Sequence, residues 1–263
     1  MTQDSRLEQL LIEASLKAGS HLREHAFDPG TIKWKGPNDP VTDRDTETEK
    51  IIIDSLCTPI DMKIIGEESG YTESCQGSSK YTAIIDPLDG TKSYLRGEFL
   101  TAVSIGIEEK DKLIAGAVYD FMRDLLYVGF RGETYVIHNS KKSQFQTLIK
   151  KPKVGIITNT DHHKLSEEDS KRLRQLEDNP RLYLSRRRGS IALALAHTAY
   201  GIHDSAILYN ENSGNVWDVA AGIYLLQCTN HRITDIEGNP FNSYQASNGL
   251  MALGPRFQKE IQG

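Results

Sequence analysis

A chain of 263 residues, 38% apolar and 25% charged with both signs interspersed, has the material for a substantial core and is neither disordered nor fibrous in composition. Its formal net charge of -5 gives no general attraction to nucleic acid or anionic lipid, so an anionic ligand would need a local basic pocket or bound cations. The polar start at 1–6, the lack of any long apolar run, and the scattered Cys57, Cys75 and Cys228 predict a soluble cytoplasmic protein without membrane span, disulfide framework or zinc site.

Leu7, Leu10, Leu11, Ala14 and Ala18 recur at three- and four-residue steps, which predicts an opening amphipathic helix. Pro29-Gly30 and Gly36-Pro37-Asn38-Asp39-Pro40 then punctuate a loop. A second helix is predicted over 42–56, with Thr42 or Asp43 as its N-cap and Glu47 and Glu49 in its first turns. Short strands follow at 62–65, ending at Gly66-Glu67-Glu68-Ser69, and at 81–85, stopped by Asp86-Pro87. The runs 101–108, 113–119 and 124–130, separated by turns at Lys110-Asp111 and Met122-Arg123, predict an antiparallel meander. Beyond Lys150-Lys151-Pro152-Lys153 the pattern alternates: a strand at 154–158, a polar helix at 166–176, a strand at 182–184 and a small-residue helix at 190–200. Trp217-Asp218 opens a further apolar helix. The expected organisation is an α+β half over 1–150 followed by an α/β half over 151–263.

The chemistry-bearing segment is Asp86-Pro87-Leu88-Asp89-Gly90-Thr91. A strand delivers Asp86 at its end, proline forces a sharp turn, and Asp89 can then project toward the same point. Gly90 permits close backbone approach, and N–H groups at a following helix start suit a phosphate. Hard oxygen donors at this spacing suit magnesium, although Asp-Pro-x-Asp-Gly is equally good turn chemistry by itself. Asp218 reads alone as a helix cap, and so do Asp39, Asp43 and Asp45. Together with Glu67-Glu68, these acids form a set that separate caps explain less well.

Gly66-Glu67-Glu68-Ser69, Asp86-Pro87-Leu88-Asp89-Gly90-Thr91 and Trp217-Asp218-Val219-Ala220-Ala221-Gly222 resemble the signature segments of the inositol monophosphatase superfamily, in order and in spacing. Asp39-Pro40-Val41-Thr42-Asp43-Arg44-Asp45 resembles a fourth. The resemblance implies a layered αβαβα sandwich, often dimeric, and a lithium-sensitive, magnesium-dependent phosphatase. It implies that Glu67, Asp86 and the carbonyl of Leu88 hold a first magnesium, and that Asp86, Asp89 and Asp218 hold a second. A weaker third ion would sit near Glu67 through waters, and the Thr91–Asp45 pair with Glu67 would orient and deprotonate the attacking water.

The alcohol that leaves is less legible. Glu211 stands where inositol monophosphatases bind ring hydroxyls, and it reads equally as a solvated loop residue. Gly189-Ser190-Ile191 resembles the segment bordering the substrate, alongside Gly90 and Thr91. Thr91-Lys92 and Gly97-Glu98-Phe99 resemble instead the nucleotidase branch acting on 3′-phosphoadenosine 5′-phosphate. Arg186-Arg187-Arg188 would meet a second phosphate or is a solvated run, and Leu193 stands where that branch tends to carry a lysine. The expected substrate is an inositol-1-phosphate-type ester; the alternatives are the nucleotidase and a regulatory binding protein that keeps only the fold. Nucleic acid is not an expected partner.

Overall fold

Leu7, Leu11, Ala14, Ala18 and Leu22 lie on one side of α1 (Gln3–Glu24) and are fully buried, as their spacing requires. Thr2 caps this helix by accepting from the Ser5 N–H. The computed structural model describes residues 2–26, 28–37, 39–73, 79–145, 153–158, 165–186, 189–209, 214–242 and 249–262. Cys75, Arg187, Arg188 and Glu211 lie outside the described residues.

The segment expected to be a loop is a hairpin of β1 (Ile32–Gly36) and β2 (Asp39–Thr42). Its first strand is exposed along almost its whole length, so it carries no alternation of apolar and polar residues for a sequence pattern to detect. The second helix begins as α2 (Asp43–Ile52) on a capping box between Thr42 and Asp45, and runs on as a wider π turn at Ile53–Cys57.

Strands β3 (Lys63–Gly66), β4 (Gly70–Thr72) and β5 (Tyr81–Asp89) precede a short helix α3 (Thr91–Leu95). The meander follows as β6 (Ala102–Glu109), β7 (Lys112–Asp120) and β8 (Leu125–Phe130), and it continues through β9 (Glu133–His138) and β10 (Lys141–Gln144). These strands form an eight-stranded sheet in the order β10-β9-β8-β7-β6-β5-β3-β4, in which only β3 and β5 pair in parallel.

The remaining elements are β11 (Val154–Thr158), α4 (Glu167–Glu177), β12 (Leu182–Arg186), α5 (Ile191–Ala199), β13 (Ser205–Leu208), α6 (Val216–Cys228), β14 (Arg232–Thr234), β15 (Leu250–Leu253) and α7 (Pro255–Phe257). Their strands make a five-stranded sheet ordered β12-β11-β13-β15-β14. Strand β11 runs parallel to both neighbours, and β15 runs antiparallel to β13 and β14.

The layers stack as αβαβα. One apolar cluster joins α1 and α2 to the large sheet, a second buries α5 and α6 between the two sheets, and a third packs α4 and α7 on the far face of the small sheet. The close approach of α6 to the large sheet depends on Gly116 in β7. A Cβ there would sit 2.5 Å from the Ala221 carbonyl oxygen, so only glycine fits.

Candidate metal centre

Residues three apart on a regular strand point to opposite faces. Asp86 and Asp89 escape this rule because the register slips between them. Asp86 pairs with Ser104 and Asp89 with Ala102, so three steps on β5 match two on β6. This one-residue bulge contains Pro87, which has no N–H to lend to the ladder, and it swings the two carboxylates to a common side. The sequence pattern ends the strand at Ile85; the strand instead runs through the bulge to Asp89.

The third carboxylate arrives from another layer. The Ser104 hydroxyl donates to the Trp217 carbonyl at 3.2 Å, tying β6 to the first turn of α6, and the next residue is Asp218. Asp218 accepts from the Asn215 N–H in a capping box, so its reading as a cap holds. Capping does not exhaust a carboxylate, and oxygens of Asp86, Asp89 and Asp218 all lie within 4.8 Å of one another.

Each acid is held in a definite attitude. Asp86 Oδ1 accepts the Leu88 N–H at 3.0 Å, while its buried Oδ2 has no hydrogen-bond partner. Asp89 Oδ2 accepts the Ser190 hydroxyl and the Ala192 N–H, each at 2.6 Å, at the start of α5. Ser190 also caps α5 by accepting the Leu193 N–H at 2.9 Å. The Ser190 hydroxyl thus both orients Asp89 and caps α5. Gly90 (φ 91°) and Gly189 (φ 120°) fold around the Leu100 carbonyl, which also accepts the Ser190 N–H at 2.9 Å, so the two segments are stitched side by side.

Thr91 donates to Asp45 Oδ1 at 3.0 Å and lies 3.1 Å from the Leu88 carbonyl. Asp45 Oδ2 accepts the Thr42 N–H at 2.8 Å and the Thr42 hydroxyl at 2.6 Å. Glu67 is anchored through its own N–H to the Ile85 carbonyl at 3.1 Å, and its charge interacts with that of Asp86. Lys35 of the hairpin reaches across to Glu67 at 3.1 Å and Glu68 at 2.6 Å. Lys35 and the Ala192 N–H are not legible in sequence: one is a lone cation on an exposed strand, the other a backbone group.

Burial dominates the electrostatics. It pushes the Asp86 and Asp89 carboxyls well above the usual range, Asp86 further through Glu67 and Asp89 further through Asp218. Burial and the Glu68 charge raise Glu67 to about 7 against the pull of Lys35. Burial raises Asp218 to about 6, opposed by the Asn215 N–H. Burial also raises Asp45, opposed by its hydrogen bonds from Thr42. Burial disfavours the Lys35 ammonium, but its bond to Glu68 and the charge of Glu67 outweigh this and hold it protonated.

Clustered acids that resist ionising together, all offering hard oxygen, fit a small divalent cation. The buried Asp86 Oδ2 in their midst is the atom such an ion would satisfy. Of the residues anticipated from sequence, Asp86, Asp89 and Asp218 converge, with the Leu88 carbonyl and the Thr91–Asp45 pair alongside and Glu67 beside Asp86.

An αβαβα sandwich with acids converging from β5 and the first turn of α6 is the class that fold and site define. Residues 3–262 match the family described as the inositol monophosphatase family, and the chain belongs to it. It is 30% identical over 266 residues to the inositol-1-monophosphatase of Bacillus subtilis, covering 99% of this chain and 97% of that one. It is 32% identical over 236 residues to the Nus factor SuhB of Xylella fastidiosa, covering 87% and 82%. In three dimensions it resembles the extragenic suppressor protein suhB of Bartonella henselae, with a TM-score of 0.80, 27% identity and coverage of 97% and 96%. Among the described residues no helix is long and apolar enough to cross a membrane.

Proposed function

We propose that this chain is a magnesium-dependent phosphomonoesterase whose substrate is a small polyol phosphate of the inositol 1-phosphate type. The observation that carries the reading is the buried carboxylate cluster with its unpartnered Asp86 Oδ2, set beside the Thr91–Asp45 pair. Asp86, Asp89 and Asp218 would hold one magnesium; Glu67, Asp86 and the Leu88 carbonyl would hold another, with a third weakly bound near Glu67. When bound, magnesium supplies Lewis acidity toward water and neutralises phosphate oxygens.

The chain's own groups have separable tasks. The Thr91 hydroxyl donates its hydrogen bond to Asp45, which leaves the oxygen lone pairs free to accept from a water and aim it. Asp45, fixed by two bonds from Thr42, holds the Thr91 hydroxyl in that orientation. The proton that the attacking water loses would pass to the Glu67 carboxylate. Helices α5 and α6 both begin at the cluster, and their positive ends favour anionic groups there.

For the nucleotidase alternative, a second phosphate would fall to Arg186-Arg187-Arg188; Arg186 is ion-paired with Glu177, and the other two lie outside the described residues. A binding protein that kept only the fold would have little reason to retain this full acid set. Lithium inhibition and a homodimer are further expectations carried from the family. The test compares kcat/KM for inositol 1-phosphate, 3′-phosphoadenosine 5′-phosphate and fructose 1,6-bisphosphate. A tenfold preference for the nucleotide overturns the substrate assignment, and phosphate release from none of them overturns the enzymatic one.

A further inference from the structure

Glu49 is a buried carboxylate, 3% exposed, and the proposed chemistry does not use it. It sits in α2 one turn after Asp45, and among the described residues it makes no ion pair. Its two oxygens reach out of the helix to consecutive backbone groups of the turn after β3. Glu49 Oε2 accepts the Glu68 N–H at 3.1 Å, and Oε1 accepts the Ser69 N–H at 2.8 Å. Room for this approach exists because residue 66 is glycine: a Cβ there would stand 2.6 Å from Glu49 Oε2.

We infer that Glu49 is a positioning residue for the proposed metal centre, fixing the turn that presents Glu67. Three successive N–H groups of that turn are bound, Glu67 to the Ile85 carbonyl of β5 and the next two to Glu49. Without the carboxylate two of the three lose their acceptor, and Glu67 is restrained from one side only. The same helix carries Asp45, one turn earlier, which binds Thr91. A single rigid helix thereby sets the spacing between the water-orienting pair and Glu67. A neutral amide cannot replace Glu49, because it offers one acceptor oxygen and turns an NH2 toward the other donor.

The inference rests on the proposal that Glu67 holds an ion, so the test contains a reference for that proposal. Magnesium binding is measured calorimetrically on the full chain for the wild type, Glu49→Gln, Glu67→Gln and Ile52→Val. Ile52 is fully buried on the same helix, within the apolar cluster shared with α1, so its variant reports helix destabilisation alone. Glu49→Gln should weaken magnesium binding about tenfold, as loss of a group supporting a metal ligand does, and lost turnover should return as magnesium is raised. Ile52→Val should lower Tm and leave magnesium affinity unchanged. If Glu67→Gln weakens binding while Glu49→Gln behaves like Ile52→Val, Glu49 is structural only and the inference falls while the metal assignment stands. If Glu67→Gln leaves binding intact, Glu67 holds no ion and both fall. Should the amide variant not fold, Glu49→Asp, which keeps both acceptors but withdraws them by a methylene, carries the same comparison.

Discussion

Replacing Asp89 by Asn should raise the stability of the metal-free protein while removing its response to magnesium. At the 4.8 Å that bounds the separations of Asp86, Asp89 and Asp218, two unit negative charges repel by about 3 kcal/mol in an effective dielectric near 20. Protons retained by the raised carboxyls relieve part of this, leaving a gain of about 1–2 kcal/mol for the amide. The amide oxygen of the variant can still accept from Ser190 and Ala192, and its NH2 then donates toward the remaining acids. For a chain of this size each kcal/mol moves Tm by about 2–4 °C. Thermal unfolding in chelator and in saturating magnesium reads both effects. The wild type should gain Tm on adding magnesium; the variant should start higher and gain little. A variant that melts below the wild type in chelator and keeps the full magnesium increment would refute the repulsion argument.

Three other outcomes follow from the same geometry. Glu67 near 7 and Asp218 near 6 hold protons in the folded, metal-free chain that the unfolded chain has lost. Metal-free stability should therefore be greatest at acid pH, where the unfolded groups are still protonated, and fall as pH rises through 6 and 7. Each retained proton contributes a slope of about 1.4 kcal/mol per pH unit, which saturating magnesium should flatten; parallel urea midpoints from pH 5 to 8 in chelator and in magnesium would contradict this. Thr91→Val, which removes the donor to Asp45, should cost about 100-fold or more in kcat while sparing magnesium binding; a matching loss of binding would move Thr91 into the metal shell. Gly116→Ala forces α6 off β7 and should cost about 1–3 kcal/mol by overpacking. Because α6 carries Asp218, calorimetric magnesium affinity should fall with it; loss of stability alone would uncouple the helix from the site.

How far the sequence reveals this centre depends on the kind of residue. Acids within short signature segments are readable, because Asp86, Asp89 and Asp218 announce themselves by type and spacing. What brings them together is not readable, since the bulge that aligns Asp86 with Asp89 is a property of pairing with β6. A capping role does not exhaust Asp45 or Asp218: each carboxylate closes a capping box, while Asp45 also accepts from Thr91 and an Asp218 oxygen lies within 4.8 Å of oxygens of Asp86 and Asp89. Lys35 gives no signal because β1 is exposed and lacks alternation, and Glu49 gives none because its partners are backbone groups 19 and 20 residues away. Strand β13, Ser-Ala-Ile-Leu and wholly buried, shows no period at all, and its place is set by the neighbours that cover it. The amphipathic α1 is legible because its one-sided burial recurs every three to four residues, and the meander of β6 to β8 because its short apolar runs are divided by tight turns.

The most direct test of the account is phosphate release from inositol 1-phosphate by chelator-treated protein before and after magnesium is restored. The account predicts negligible release in chelator, recovery on adding magnesium, and no recovery in Asp86→Asn, whose side chain sits at the centre of the cluster. Release at an undiminished rate in chelator, or full recovery in that variant, would contradict it.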